Sequence, residues 1–164
     1  TPSIHADAFV HPDATVIGNV TIGADSTIWP QAVLRGDYGY IEIGARTSIQ
    51  DGTVVHCTAQ LPTIVGDDCV IGHLVHMECC TIESRSLIGS GSIVLHRAIV
   101  RSEALVGANA VVPNDMDVPT RAMALGVPAK LKLDAVDPAT MIVPGALQYV
   151  HNGKQYRELL RRLD

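Results

Sequence analysis

Aliphatic side chains recur every six residues along most of this chain. Ile4, Val10, Val16, Ile22, Ile28 and Leu34 fall six apart, and four positions after each comes a residue that is nearly always small: Ala8, Ala14, Val20, Ser26 and Ala32. The series resumes in a new phase at Ile43, Ile49 and Val55, with Thr47 and Thr53 in the small position. It shifts again at Val65, Ile71 and Met77, and once more for Ile82, Ile88, Val94, Val100, Val106 and Val112. An α-helix repeats every 3.6 residues and does not produce this spacing. A short strand followed by a corner does. Strand alternation turns the aliphatic and the small residue two before it to the same, inward side, while glycine and polar residues turn the chain. Three such units make a triangular coil of about 18 residues, stacked on the next at about 4.8 Å. Residues 4–112 then supply about six coils. The prediction is an all-β chain wound as a parallel β-helix.

The phase breaks mark irregularities. Insertions are predicted as loops at 36–42 (GDYGYIE) and 57–63 (CTAQLPT), with a one-residue deletion near 78–81. Insertions on a solenoid are common places for function. After the repeat, Pro119, Pro128, Pro138 and Pro144 divide the chain into extended pieces. From about Ala146 a helix is predicted, with Leu147, Val150, Tyr156, Leu159, Leu160 and Leu163 as its apolar stripe and Arg157, Arg161 and Arg162 opposite. Gly153 is a weak point in it. The expected division is a β-helix domain over residues 1–128 and a tail with a C-terminal α-helix over 129–164, packed on a side of the prism.

Composition agrees with a thin interior. Hydrophobic residues make up 47% of the 164, yet aromatics make up only 4%, as expected of a prism filled by one aliphatic and one small side chain per unit. A net charge of -5 without a Lys/Arg cluster argues against a nucleic-acid partner. No apolar run approaches the roughly 18–20 residues of a membrane helix, so no membrane partner is expected. Cys57, Cys69, Cys79 and Cys80 form no C-x-x-C pair. Together with the lack of a charged-then-apolar opening segment, they read as reduced thiols in a cytoplasmic protein.

Candidate chemistry centres on the histidines. His5 and His11 share a corner position and read as solvated, and His151 reads as helix surface. His56 follows the aliphatic Val55 and therefore points outward. Met77 stacks over Val55, which puts Glu78 directly over His56, with His76 facing outward above Val54. Two outward ligands one rung apart can converge on one metal. His73 occupies the preceding corner, roughly 16 Å along an extended chain from Glu78, so a neighbouring copy would supply it. A three-sided prism suits a three-fold assembly with metals between subunits. Exposed histidines on a β-helix can also be polar surface alone.

Longer stretches carry a resemblance. IWPQAVLRGD (28–37), IEIGARTSIQDGTVVH (41–56), PTIVGDDCVIGH (62–73) and, loosely, GVPAK (126–130) resemble the γ-class carbonic anhydrase family. That resemblance implies a left-handed β-helix, a homotrimer, and Zn²⁺ (or Fe²⁺ or Co²⁺) held by three histidines at each subunit interface. Two of the three match His56 and His73. Where the family has its third histidine, this chain has Glu78, with His76 nearby, which leaves a His₂Glu site through Glu78, a His₃ site through a shifted His76, or a weakened site. Arg35 and Asp37 resemble the family's interfacial ion pair. Gln50 and Asp51 resemble residues that line the site. Tyr149 resembles a tyrosine brought from the C-terminal helix, and Asn152 follows it.

The implied reaction is reversible hydration of CO₂ to bicarbonate. Two departures predict weak activity. Tyr38 follows Asp37 where active members carry Glu, and the 57–63 loop has no acid to move protons. A carboxylate ligand would also make a bound water less acidic. Two other classes stay open: a hexapeptide acyltransferase with His96 or His76 as base, and a non-catalytic γ-type trimer that binds a small ligand or partner.

Overall fold

The computed structural model describes residues 1–161 and 163. Arg162, expected on the polar side of the helix, lies outside the described residues. The chain winds as a left-handed parallel β-helix of about seven turns, closed by a C-terminal helix. Three faces recur. The first carries Leu34, Val55, Met77, Val94 and Val112 in register. The second carries Ile22, Ile43, Val65, Ile82, Val100 and Val118. The third runs from Val10 and Ile28 through Ile49, Ile71 and Ile88 to Val106 and Ala124. These aliphatics are buried from Ile22 onward, as are the small residues Ala32, Ala98, Ala104 and Ala110. Ile4, on the first coil, is 45% exposed.

Serine and threonine in the small position do a second job. Ser26, Thr47, Thr53 and Ser92 turn their hydroxyls to backbone carbonyls of the next coil, at Gly44, Gly66, Gly72 and Gly107. Among the described residues no buried side-chain nitrogen or oxygen lacks a partner, so the polar atoms inside the prism carry no desolvation penalty of an unmade bond.

Of the glycine and polar residues expected at the corners, the polar ones do most of the turning. Most corners turn on a polar residue in the left-handed region, among them Arg46 (φ 54°), Asp68 (φ 56°), Arg97 (φ 59°) and Asp115 (φ 64°). That conformation costs a non-glycine residue about 1–2 kcal/mol. Stacking partly offsets it, because the same corner on successive coils pairs opposite charges: Arg46 with Asp68, Arg97 with Asp115, Arg85 with Glu103. Gly23, Gly44 and Gly66 serve another purpose. They stack coil on coil, and a side chain at any of them would collide with the backbone above.

The segment 36–42 is not a loop. It belongs to one continuous strand, Val33–Ile43, paired with Thr15–Ile22. Gly18 pairs with Gly36 and Val20 with Ile41, so the extra residues are absorbed as a bulge where both strands round the corner between the first and second faces. The expected 57–63 insertion is a loop over 57–62, between strands Val54–His56 and Thr63–Val65, with Thr63 opening the second strand.

The tail returns as strand Lys130–Lys132, antiparallel to Met123–Leu125 on the last coil. Helix α1 (Pro138–Met141) is capped by Asp137, and helix α2 spans Val143–Leu159. Helix α2 starts three residues before the expected Ala146 because Pro144 sits in its first turn, where proline needs no hydrogen bond. Its packing face also differs from the expected leucine stripe. Ala146 and Gly153 are buried, while Leu147, Leu159 and Leu163 are exposed. The reason is close approach: a side chain at Gly153 would overlap the Thr27 methyl on the third face. The helix closes over an aromatic group outside the prism. Trp29 lies 5.5 Å from Phe9, 5.1 Å from Tyr156 and 5.8 Å from Tyr149, ring centre to ring centre. Its indole N–H donates to Thr27 Oγ1 and Ser48 Oγ. No helix among the described residues is long and apolar enough to cross a membrane.

Two outcomes follow. Gly153→Leu should lift α2 from the third face and destabilise the fold by about 1–3 kcal/mol, read as a lower melting temperature with a shift in the fluorescence of Trp29, the chain's single tryptophan. Glu83 accepts from the Ser102 backbone N–H and from Arg101, which hold its carboxyl below the usual range. Its contribution to stability is therefore full above the unfolded carboxylate pKa and is lost as pH falls through the lowered folded value. Glu83→Gln should be less stable than the parent at neutral pH, with the difference shrinking in acid, measured by denaturant melts across pH.

Candidate functional site

The register expected for the histidine strand holds. His76 pairs with Val54, Met77 with Val55 and Glu78 with His56. One coil below, Arg35 pairs with His56. Arg35, His56 and Glu78 therefore form a column on the outside of the first face, at the corner leading to the second. His56 lies between two carboxylates: Nδ1 is 2.9 Å from Glu78 Oε1 and Nε2 is 3.3 Å from Asp37 Oδ1. Arg35 donates to the other oxygen of Asp37. Asp37 reaches His56 only because the bulge in Val33–Ile43 brings it round the corner.

Glu78 has further neighbours. His76 Nε2 and His96 Nε2 each stand 3.6 Å from Glu78 Oε2. His96, considered from the sequence only as an acyl-transfer base, thus joins the cluster. The signal that could have found it is periodic: His96 sits one coil beyond Cys79, beside Glu78. Burial pushes the Asp37 carboxyl up, but Arg35, a backbone N–H and His56 outweigh it and hold it below its ordinary value. Burial likewise raises Glu78, and His56 with His96 outweigh it, so it too is held low. Both carboxylates are thus anionic at neutral pH, acceptors for metal or proton.

A second group gathers at the other end of the same face. Asp51 Oδ2 lies 3.0 Å from His73 Nδ1. Both side chains are about half exposed. Tyr149, half-buried against Trp29, has its phenol raised by burial and by the negative charge of Asp51. Gln50, beside Asp51, is 4% exposed, and its N–H donates to the Ile71 carbonyl of the next coil. Asn152 accepts from Gln148 on the outer side of α2 and meets neither group. His5 and His11 accept the backbone N–H of Asp7 and Asp13 through Nδ1 and belong to corners, while His151 is exposed. All four cysteines are free and buried. Burial pushes the Cys69 and Cys80 thiols up to about 12, which makes them inert core groups.

His56 and Glu78 offer the imidazole nitrogen and carboxylate oxygen that zinc accepts, at neighbouring positions on one column. The donor set fits a zinc ion, yet within one chain His73 stands at the far end of the face.

Comparison with known proteins agrees with this architecture. Residues 1–36 match the family described as bacterial transferase hexapeptide (six repeats) and residues 80–113 the hexapeptide repeat of succinyl-transferase. The chain is 37% identical, over 84% of its length, to the mitochondrial gamma carbonic anhydrase 2 of Arabidopsis thaliana, of which it covers 51%. It is 39% identical, over 83% of its length, to the carnitine operon protein CaiE of a Proteus species, covering 69% of that protein. A solved structure of a hexapeptide transferase family protein from Anaplasma phagocytophilum superposes with a TM-score of 0.90 at 33% identity, over 94% of this chain and 92% of that one. The chain spans about half the length of the plant relatives it matches.

Proposed function

This chain belongs to the γ-class carbonic-anhydrase-like hexapeptide-repeat family, and from that premise we propose that it is a trimeric metalloprotein that hydrates CO₂ slowly and reversibly. The observation that carries the reading is the division of donors on the first face. His56 and Glu78 meet at one end and His73 stands with Asp51 at the other, so three copies around an axis can bring one chain's pair to a neighbour's His73. Each chain alone holds the two halves of a ligand set and closes neither.

In this reading His56, Glu78 and the neighbour's His73 hold zinc, with Fe²⁺ or Co²⁺ as alternatives. Zinc in such a set supplies a nucleophile at neutral pH, by lowering the pKa of coordinated water toward about 7. Asp51 accepts the Nδ1–H of His73, which leaves Nε2 free as the ligand nitrogen and fixes the ring's orientation. Asp37, pinned by Arg35, fixes the ring of His56 and sets the register between subunits. Gln50 and Tyr149 are assigned to orienting the small substrate or its bicarbonate product, from their places on the corner and on α2, and Asn152, which meets neither group within the chain, to the subunit interface. His76, 40% exposed and 3.6 Å from Glu78, is assigned to carrying protons outward rather than to ligation. Turnover is slow because Tyr38 points into solvent and no acid lies in the 57–63 loop. The descriptions of the matched families favour a second reading, acyl transfer with His96 as base, which steady release of free coenzyme A from an acyl-CoA would support.

Protein purified without chelator should carry zinc by elemental analysis, and His56→Ala and His73→Ala should each lose it. Mixed trimers of those two variants should recover zinc at one interface in each trimer, where an intact His56 meets an intact His73. No recovery, or a monomer in sedimentation, defeats the shared site. Glu78→His should raise CO₂ hydration on the order of tenfold, followed by stopped-flow with a pH indicator.

A further inference from the structure

The interfacial reading uses one oxygen of Glu78. The other faces a separate set of donors supplied by the same chain. Glu78, Cys79 and His96 bring a carboxylate oxygen, a thiol sulfur and an imidazole nitrogen all within 4.8 Å of one another. Glu78 Oε2 and His96 Nε2 are 3.6 Å apart. Around a tetrahedral zinc, ligand atoms stand about 3.3–3.8 Å apart, given bond lengths of about 2.0–2.3 Å. A small closing of the side chains is all that the set requires.

The fold produces this convergence by a local departure from the repeat. Consecutive residues of a strand point to opposite sides, so Glu78 and Cys79 would ordinarily diverge. Here the repeat is one residue short between Met77 and Ile82, and Cys79 takes the left-handed conformation (φ 56°). That turn brings its sulfur to the same side as the Glu78 carboxylate. The Arg97 N–H then donates to the Cys79 carbonyl at 2.7 Å, which ties the corner holding His96 directly above. The residue is 3% exposed and its thiol donates to the Thr58 hydroxyl, at 3.6 Å. A buried sulfur beside a carboxylate and an imidazole is a donor set for a borderline-soft divalent cation.

We propose that Glu78, Cys79 and His96 form a second metal site for a zinc-class divalent cation, held within a single chain and independent of trimer assembly. Cys79 binds as the thiolate, releasing its proton to solvent when the cation enters. Glu78 then carries one oxygen toward each site, Oε1 to the interfacial set with His56 and Oε2 to the intrachain set. The inference goes beyond the interfacial reading and does not depend on His73.

Cobalt(II) separates the two sites, because only the intrachain set contains sulfur. Metal-free protein titrated with Co²⁺ should develop a near-ultraviolet thiolate-to-cobalt charge-transfer band that saturates at one ion per chain. Cys79→Ser and His96→Ala should abolish the band and weaken that binding event at least tenfold, while His73→Ala and Cys57→Ser keep it. His96 lies partly in solvent, so its variant tests the site even if Cys79→Ser fails to fold, which circular dichroism would reveal. Cobalt uptake without the band, no uptake, a band that survives His96→Ala, or one lost in His73→Ala each overturn the proposal. Zinc that depends on His73 in the absence of a cobalt–thiolate band would remove this site and leave the interfacial one standing.

Discussion

Stacking of each coil on the one below governs everything else in this chain. Parallel strands one coil apart must exchange backbone hydrogen bonds at a fixed rise of about 4.8 Å, so residues separated by one turn of the prism are held in vertical contact. The interior then admits one aliphatic side chain per face per coil, and Leu34, Val55, Met77 and Val94 form a continuous column because register leaves them no other place. The same rule works on the outside. Arg35, His56 and Glu78 are distant in sequence and adjacent in space for the reason that their aliphatic neighbours are.

A fixed ladder also decides what happens to extra or missing residues. They cannot be shared along a strand without turning its core side chains to solvent, so they are pushed to corners. The insertion after Gly36 becomes a bulge and carries Asp37 round to His56. The deletion after Met77 is taken up at Cys79, in a left-handed turn that faces its thiol toward Glu78 and His96. The histidines and carboxylates gather where the repeat breaks, because corners are where side chains escape the alternation that the faces impose.

Charge is arranged by the same geometry. Corner residues in the left-handed region stack as Arg–Asp and Arg–Glu pairs, while the site column alternates Arg35 with Asp37 and His56 with Glu78. Exposed pairs of this kind contribute little stability each. They recur on several coils of this solenoid, and they favour the in-register stack over slipped alternatives by setting like charges against each other in the wrong register. Helix α2 adds a different protection. It gathers Phe9, Trp29, Tyr149 and Tyr156 against the third face, burying Phe9 and Trp29, and keeps these rings outside the narrow core.

The sequence by itself determined the coil, its three faces, the outward direction of His56 and the stacking of Glu78 over it, because a six-residue period is a local signal that each unit repeats. It also placed a helix at the C-terminus and marked where the repeat breaks. It did not reveal that 36–42 stays in a strand, since a bulge depends on how two strands share a corner and not on either segment alone. It misjudged the packing face of α2, because the closeness of Gly153 to Thr27 belongs to the docking of helix on sheet, whereas a leucine stripe is only a composition. Only the tertiary structure decided that His96 meets Glu78 and that Cys79 turns toward both. The sequence marks the place, as a residue missing from the repeat and a histidine one coil on, but the direction in which the thiol turns comes from the left-handed backbone at Cys79, which the order of side chains does not show.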